Sequence, residues 1–305
     1  MPQLHLSLSN RVEILVDHLA EITQVPLSSP LQPEIIVVQS QGMARWLSLA
    51  LAERRGICAN VRFPFPKAFS FEIFQPLPET PAVDPESLVW RVLKLLPTLA
   101  RTPGFAEVDR YLGDGQDVRK QFQLADRIAW LFDQYLVYRP DWILEWEAGR
   151  ESHWQAVLWR HLASSLEPSH PVRLREQFSA ALSTPGWKPT GLPERISIFG
   201  ISTLPPAYLE LFATLAQKID VHLFSLQPAR SRSDDTIGRR KPGKNSRHQK
   251  IPDVGGDAFN QENENRLLAS MGRMGRDFLK LLHDVGDWNE SEYFEDPEQI
   301  GRAHV

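Results

Sequence analysis

A parallel α/β domain interrupted by an all-helical insertion is the fold class that the sequence predicts, and three observations predict it. Short apolar runs alternate with helical periodicity near both ends of the chain: "LHLSL" (Leu4–Leu8), "IIVV" (Ile35–Val38), "RISIF" (Arg195–Phe199) and "IDVHLFSL" (Ile219–Leu226). The stretch between the two regions, from about Lys67 to Pro189, shows helical periodicity alone. The 305 residues are 42% apolar and 10% aromatic, enough for one large core or two ordinary ones. Runs that are apolar throughout suit strands covered on both faces, as in a parallel sheet flanked by helices.

The elements follow in order. The first strand leads through Ser9, Asn10 and Arg11 into a helix from about Val12 to Ile22, and the second leads through "QSQG" into a helix from about Met43 to Arg54. Residues 1–66 make the first part of the α/β domain, 67–189 the inserted helical domain and 190–284 the second part. In that second part the Pro205–Pro206 pair starts a helix, because proline fits the first turn, where its missing N–H is not needed. From 228 to 263 the composition shifts to Ser, Arg, Asp, Gly and Lys, which reads as a mobile loop. Helical spacing returns in "RLLASMGRMGRDFLKLLHD" (Arg266–Asp284) through Leu267, Met271, Met274, Phe278 and Leu281, and 285–305 read as a tail without apolar periodicity.

Several function classes are excluded. A net charge of -4 is incompatible with a uniformly basic nucleic-acid coat, although it leaves room for a basic channel. The one cysteine, Cys58, makes no internal disulfide or zinc framework and fits a reducing compartment. No run approaches the roughly 20 apolar residues of a membrane span, and no signal peptide is evident, so a soluble cytoplasmic protein without membrane contact is expected. "GRRKPGKN" (Gly238–Asn245) matches a phosphate-binding loop except at Asn245, which replaces the hydroxyl that would ligate Mg²⁺. Neither a strand before it nor a helix after it supplies converging N–H groups, so it reads as a solvated basic loop. No carboxylate stands two residues before a lysine, and no H-E-x-x-H pair occurs. No metal or cofactor is expected, and His222, inside a strand, reads as a packed histidine.

Two strand ends stand where a nucleotide-driven helicase places its chemistry. Ser9, Asn10 and Arg11 occupy the position of a glycine-rich Lys-Ser/Thr loop, and Gly200, Ile201 and Ser202 that of the Asp-Glu pair for Mg²⁺ and water. Both are compatible with the fold and incompetent for hydrolysis. The spacings alone leave a generic α/β domain equally open.

The segments "SNR", "VQSQGMARWL", "GICANVRFPFP", "LFDQYLVYRPDW", "GISTLPPAYLE" and "LLASMGRMGRDF", in this order from Ser9 to about Phe278, resemble the N-terminal part of the exodeoxyribonuclease V gamma chain family, RecC. The resemblance implies a helicase-like domain of the UvrD type, P-loop-NTPase-like but without an ATP site, carrying an inserted helical domain. It also implies a non-catalytic subunit that joins RecB-like and RecD-like partners, binds a forked DNA end, guides the 3′ single strand and helps recognise Chi during recombinational break repair. Chains of that family are several times longer, so only the first helicase-like domain and its insertion are expected here. The DNA-contacting positions it implies are Gln39, Gln41, Arg45, Phe65, Phe71, Trp130, Leu131, Asp133, Gln134 and Arg139.

The chemistry of those residues suits the role. Gln39, Gln41 and Arg45 offer amide and guanidinium groups to base edges or phosphate, and Gly42 admits close backbone approach. Ordinary loop capping is the alternative for the two glutamines, and Trp46 is expected in the core. In the helix of Arg119–Arg139, Leu124, Ile128, Leu131, Phe132 and Tyr135 form an apolar stripe, while Gln123, Asp126, Trp130, Asp133 and Gln134 share the opposite face. Trp130 can stack on an unpaired base, Asp133 can accept from a cytosine amine, and Gln134 can pair with adenine. The alternative is that another segment covers Trp130. A nucleotide-dependent enzyme and a pure scaffold for helicase subunits are the competing functions. Finally, "IGRAHV" (300–305) is what a common sequencing adapter encodes, so read-through is expected there, with an unpaired sheet edge or bare apolar face beside it.

Overall fold

Six parallel strands in the order β3-β2-β4-β5-β1-β6 form the sheet of the computed structural model, which describes residues 3–74, 85–165, 170–184, 191–227 and 273–295. The strands are β1 (Leu4–Ser9), β2 (Glu34–Val38), β3 (Val61–Arg62), β4 (Arg195–Phe199), β5 (Asp220–Leu226) and β6 (Trp288–Glu292). The helices are α1 (Val12–Gln24), α2 (Gln41–Arg55), α3 (Pro66–Phe74), α4 (Pro85–Leu99), α5 (Ala106–Leu112), α6 (Val118–Tyr138), α7 (Pro140–Glu147), α8 (Trp154–Ser165), α9 (Pro171–Leu182), α10 (Pro206–Leu215) and α11 (Arg273–Val285).

Strand alternation sorts the apolar residues onto two faces. Leu4, Leu6, Leu8, Val37, Ile198 and Leu223 point to one side and pack against Phe69 of α3, Phe178 of α9, Phe212 of α10 and Phe278 of α11. Ile36, Val38, Phe199 and Phe224 point to the other and meet Leu15 and Leu19 of α1 and Leu47 and Leu51 of α2. Each fully buried Leu or Phe contributes about 1.5–3 kcal/mol relative to exposure. At the opening of the strands Arg195 donates to both oxygens of Glu34 at 2.9 and 2.7 Å, joining β4 to β2. The expected α/β fold with helices on both faces is therefore present.

Helices α4 to α8 have a core of their own around Phe105, Phe132, Trp146 and Trp159. Helix α9 serves both cores, with Val172 on the insertion side and Leu174, Phe178 and Leu182 on the sheet side. The sheet core thus takes in α9 and all but the first residue of α3 from the span 67–189.

Three expectations need correction. Residues 288–292, expected to be tail, form β6, paired along β1 from Leu4↔Trp288 to Leu8↔Glu292. As an outermost strand, "WNESE" is only partly covered, so its sequence carries no apolar alternation. In α11, Met274 is exposed and the buried side is Phe278, Leu279 and Leu282. In α6 the buried stripe is Ala125, Ile128, Ala129, Phe132 and Leu136, with Leu131 only half-buried. Small alanines let α6 approach its neighbours closely, so the stripe turns away from the larger Leu131. The segments 228–263, Gly238–Asn245 and 300–305, with Leu267 and Met271, lie outside the described residues.

Candidate nucleic-acid interface

All strands run in one direction, so their carboxyl ends share one edge, where open α/β sheets place ligands. At the end of β1 the chain's own polar groups fill that edge. Buried Ser9 donates from Oγ to the Tyr293 carbonyl at 2.6 Å and accepts from the Arg11 N–H at 3.0 Å. Asn10 donates from Nδ2 to the Glu295 carbonyl at 2.6 Å and accepts from the Glu295 N–H at 3.1 Å. The Arg11 guanidinium is paired with the Glu295 carboxylate. The segment 293–295, continuing from β6, therefore occupies the partners of Ser9, Asn10 and Arg11.

The end of β4 is closed by packing. Gly200 has φ +66°, donates to the Phe224 carbonyl at 3.2 Å, and would place a Cβ 2.8 Å from Met43 Cε. The backbone angle favours glycine, and a larger residue would also have to displace the Met43 side chain. Ile201, 2% exposed, sits in the sheet core.

The end of β2 differs. Ser40 caps α2, its Oγ accepting from the Met43 N–H at 3.1 Å, so the cap is neither Gln39 nor Gln41. Gln39, Gln41 and Arg45 are exposed, and the space above Gly42 is open, with Ser40 Oγ at 3.8 Å from a notional Cβ. Trp46 is not in the core: it is 37% exposed, with its ring 6.4 Å from that of Phe199. Leu47, Ala50 and Leu51 take the sheet-facing side of α2, which turns Trp46 to the flank. Phe65 lies nearby and exposed, following Pro64, whose carbonyl accepts from the Val38 N–H at 3.1 Å.

On α6, Trp130 is 48% exposed, and the Arg127 guanidinium lies 4.6 Å from its ring centroid. Gln134 is half-buried. Asp133 is engaged by Lys67 Nζ at 2.7 Å, a partner that sequence spacing did not indicate. Phe71 and Asp133 come together in a cleft between α3, α6, α9 and α10 that also holds Arg175 and Tyr208. Burial depresses the Arg175 guanidinium, whose nearest carboxylate is Glu210 at 3.9 Å. Burial and the Asp133 charge raise the Tyr208 hydroxyl to about 12. Arg175 and Tyr208 had no sequence signal because α9 and α10 meet α6 only in the fold. Arg139 lies apart from this cleft, hydrogen-bonded to Asp141 at 2.8 and 3.0 Å and stacked 3.7 Å over Trp142.

His222 stacks on His5 at 4.6 Å, and burial pushes it down to about 4, so it is neutral and packed. Among the described residues no His, Cys, Asp and Glu group could hold a metal, and no helix is long and apolar enough to cross a membrane.

Residues 4–304 match the family model described as RecC, N-terminal domain. The chain is 37% identical over 323 aligned positions to the RecBCD enzyme subunit RecC of Escherichia coli strain K12, covering 94% of this chain and 29% of that protein. It is 34% identical to the same subunit of Haemophilus influenzae, over 90% of this chain and 30% of the relative. For the Mycolicibacterium smegmatis subunit the identity is 30%, over 92% of this chain and 25% of the relative. The chain spans under a third of the length of these curated relatives. The matched span passes Phe278, where the quoted resemblance ended, and includes 300–304.

Proposed function

The chain belongs to the RecC family, and from that membership we infer that it is a DNA-guiding, non-catalytic part of a RecBCD-type helicase-nuclease acting in cytoplasmic break repair. The observation that carries this reading is the contrast along one sheet edge. The two ends where a helicase-like sheet of the UvrD type would hold nucleotide and Mg²⁺ are filled by the chain's own 293–295 and by buried Ile201. The third, at Gln39–Arg45, presents amides and a guanidinium to solvent. A phosphate cradle needs free N–H groups and a cation, whereas contact with an unpaired strand needs exposed donors and a stacking face.

In this reading Gln39, Gln41 and Arg45 hold the 3′ strand, with Phe65 and Phe71 lining its path and Trp130 stacking on a base. Leu131, Asp133 and Gln134 belong to the Chi-reading surface, and Arg139 extends it. Asp133 reaches a cytosine amine only by releasing Lys67. The partners are RecB-like and RecD-like subunits and a forked DNA end, and no ATP is turned over here.

The test is assembly of the chain, within its full-length protein, with RecB-like and RecD-like subunits, followed by photocrosslinking to forked DNA. Arg45→Ala and Trp130→Ala are expected to weaken 3′-strand crosslinks and Chi response while unwinding continues. Unchanged crosslinks and Chi response in both variants refute the assignment. ATPase activity that copurifies with the isolated chain and survives Lys244→Ala refutes the non-catalytic part.

A further inference from the structure

Trp90 on α4 and Phe122 on α6 form an aromatic pair on the outside of the helical insertion. Their ring centroids are 5.7 Å apart with the planes tilted 52°, and the two residues are 62% and 40% exposed. Among the described residues packing does not account for them, because the core of these helices lies behind and is filled by Leu88, Val92, Ala125 and Ala129. Large aromatics left at the surface in contact with one another mark a surface that meets something flat and apolar.

Two features indicate what that is. The first half of α6 carries Arg119, Lys120 and Arg127 against Asp126 and the capping carboxylate Asp117, a positive excess of one in a chain whose net charge is -4. Trp130 stands eight residues beyond Phe122 on α6, about 12 Å along the axis at the helical rise, and already pairs with Arg127. Aromatic faces alternating with cations are the pattern that takes up unpaired bases while neutralising their phosphates.

We propose that Trp90 and Phe122 form a second stacking station for single-stranded nucleic acid, continuing outward along α6 the path that begins at Trp130. The proposal rests on the reading that Trp130 meets DNA, and its test keeps the two apart. Exposed rings spaced over α4 and α6 hold successive bases without selecting their sequence, because every base has a stacking face. The station therefore adds grip and not Chi discrimination.

The experiment uses the 305-residue chain and a fluorescent oligo(dT) of about 20 nucleotides, long enough for one binding track. A second oligo(dT) carries 5-iodouracil for photocrosslinking. Affinity is read for wild type, Trp90→Ala, Trp90→Phe, Phe122→Ala and Trp130→Ala, with thermal melting to establish that each variant is folded. Trp90→Ala is expected to weaken binding at least about fivefold, the loss of one stacked base, and Trp90→Phe to retain most affinity. Crosslinks should map to Trp90 or Phe122 as well as Trp130, and heparin, which has charge but no bases, should bind all variants alike. Wild-type affinity in Trp90→Ala and Phe122→Ala, with weakening only in Trp130→Ala, overturns the second station and leaves the DNA reading standing. Unchanged oligo(dT) affinity together with lost assembly onto partner subunits identifies a protein-docking surface and also overturns it. No binding or crosslinking by the wild-type chain overturns both.

Discussion

The ends of β1 and β2 lie on the same edge of the same sheet, yet one is closed and the other open. At β1, Ser9, Asn10 and Arg11 have their donors and acceptors taken by 293–295, a segment more than 280 residues away in sequence. At β2, Ser40 alone satisfies the helix start, and Gln39, Gln41 and Arg45 are left facing outward. A loop whose polar groups are bound internally serves the fold, whereas one capped by a single serine keeps its other groups available for a ligand. The third end, at β4, is closed more firmly, by apolar packing around Ile201 and a glycine whose positive φ strains any larger residue.

The sharpest way to break this comparison is to place a carboxylate at the closed β4 end. Ile201→Asp buries an unpaired charge, and a loss of about 3–5 kcal/mol in denaturant unfolding is expected. Wild-type stability would mean that the end is open after all. The next largest effect sharpens the contrast between sheet and insertion. Burial tends to raise the Glu147 carboxyl, but hydrogen bonds from His170, Trp159 and Arg173 outweigh it and hold the group at about 2, against an ordinary value of 4.5. A carboxylate with a lowered folded pKa stabilises fully above 4.5 and loses that contribution as pH falls toward about 2. The loss is on the order of 3 kcal/mol, and Glu147→Gln should flatten the acid limb of a stability–pH curve in this window.

A smaller loss is expected at the closed β1 end. Asn10→Ala removes two hydrogen bonds to Glu295 and should cost about 1–2 kcal/mol, with faster amide exchange confined to β6 and the segment after it. Exchange unchanged there would show that the closure does not depend on Asn10. The smallest stability change is expected at the open end, where Arg45→Ala should lie within about 0.5 kcal/mol of wild type. Its effect belongs to strand binding, so a destabilised Arg45→Ala protein would show that the loop is structural.

Legibility followed the range of the interactions involved. Runs such as "EIIVV" and "RISIF" announce strands because their burial on both faces is written residue by residue, and the Pro205–Pro206 start of α10 is a local backbone constraint. The polar residues after β1 and the Gly–Ile after β4 were visible as sequences that carry no phosphate-binding or acidic-pair motif. Trp130 on a polar face was visible from helical spacing, and its exposure agrees with that reading. Trp46 was misplaced because the same spacing cannot tell the centre of a buried stripe from its margin.

The sequence by itself determined the alternation of strands and helices and the polar character of the β2 loop, since each depends on neighbours within a few turns of chain, and its ordered segments carried the family. Only the tertiary structure decided which of those groups are free. Glu295 reaches Asn10 and Arg11, Lys67 reaches Asp133, and Trp90 meets Phe122 through pairings of strands and helices distant in sequence. Hydrogen bonds and ring contacts act over a few ångströms in space, and no local periodicity encodes which distant residue will arrive at that distance.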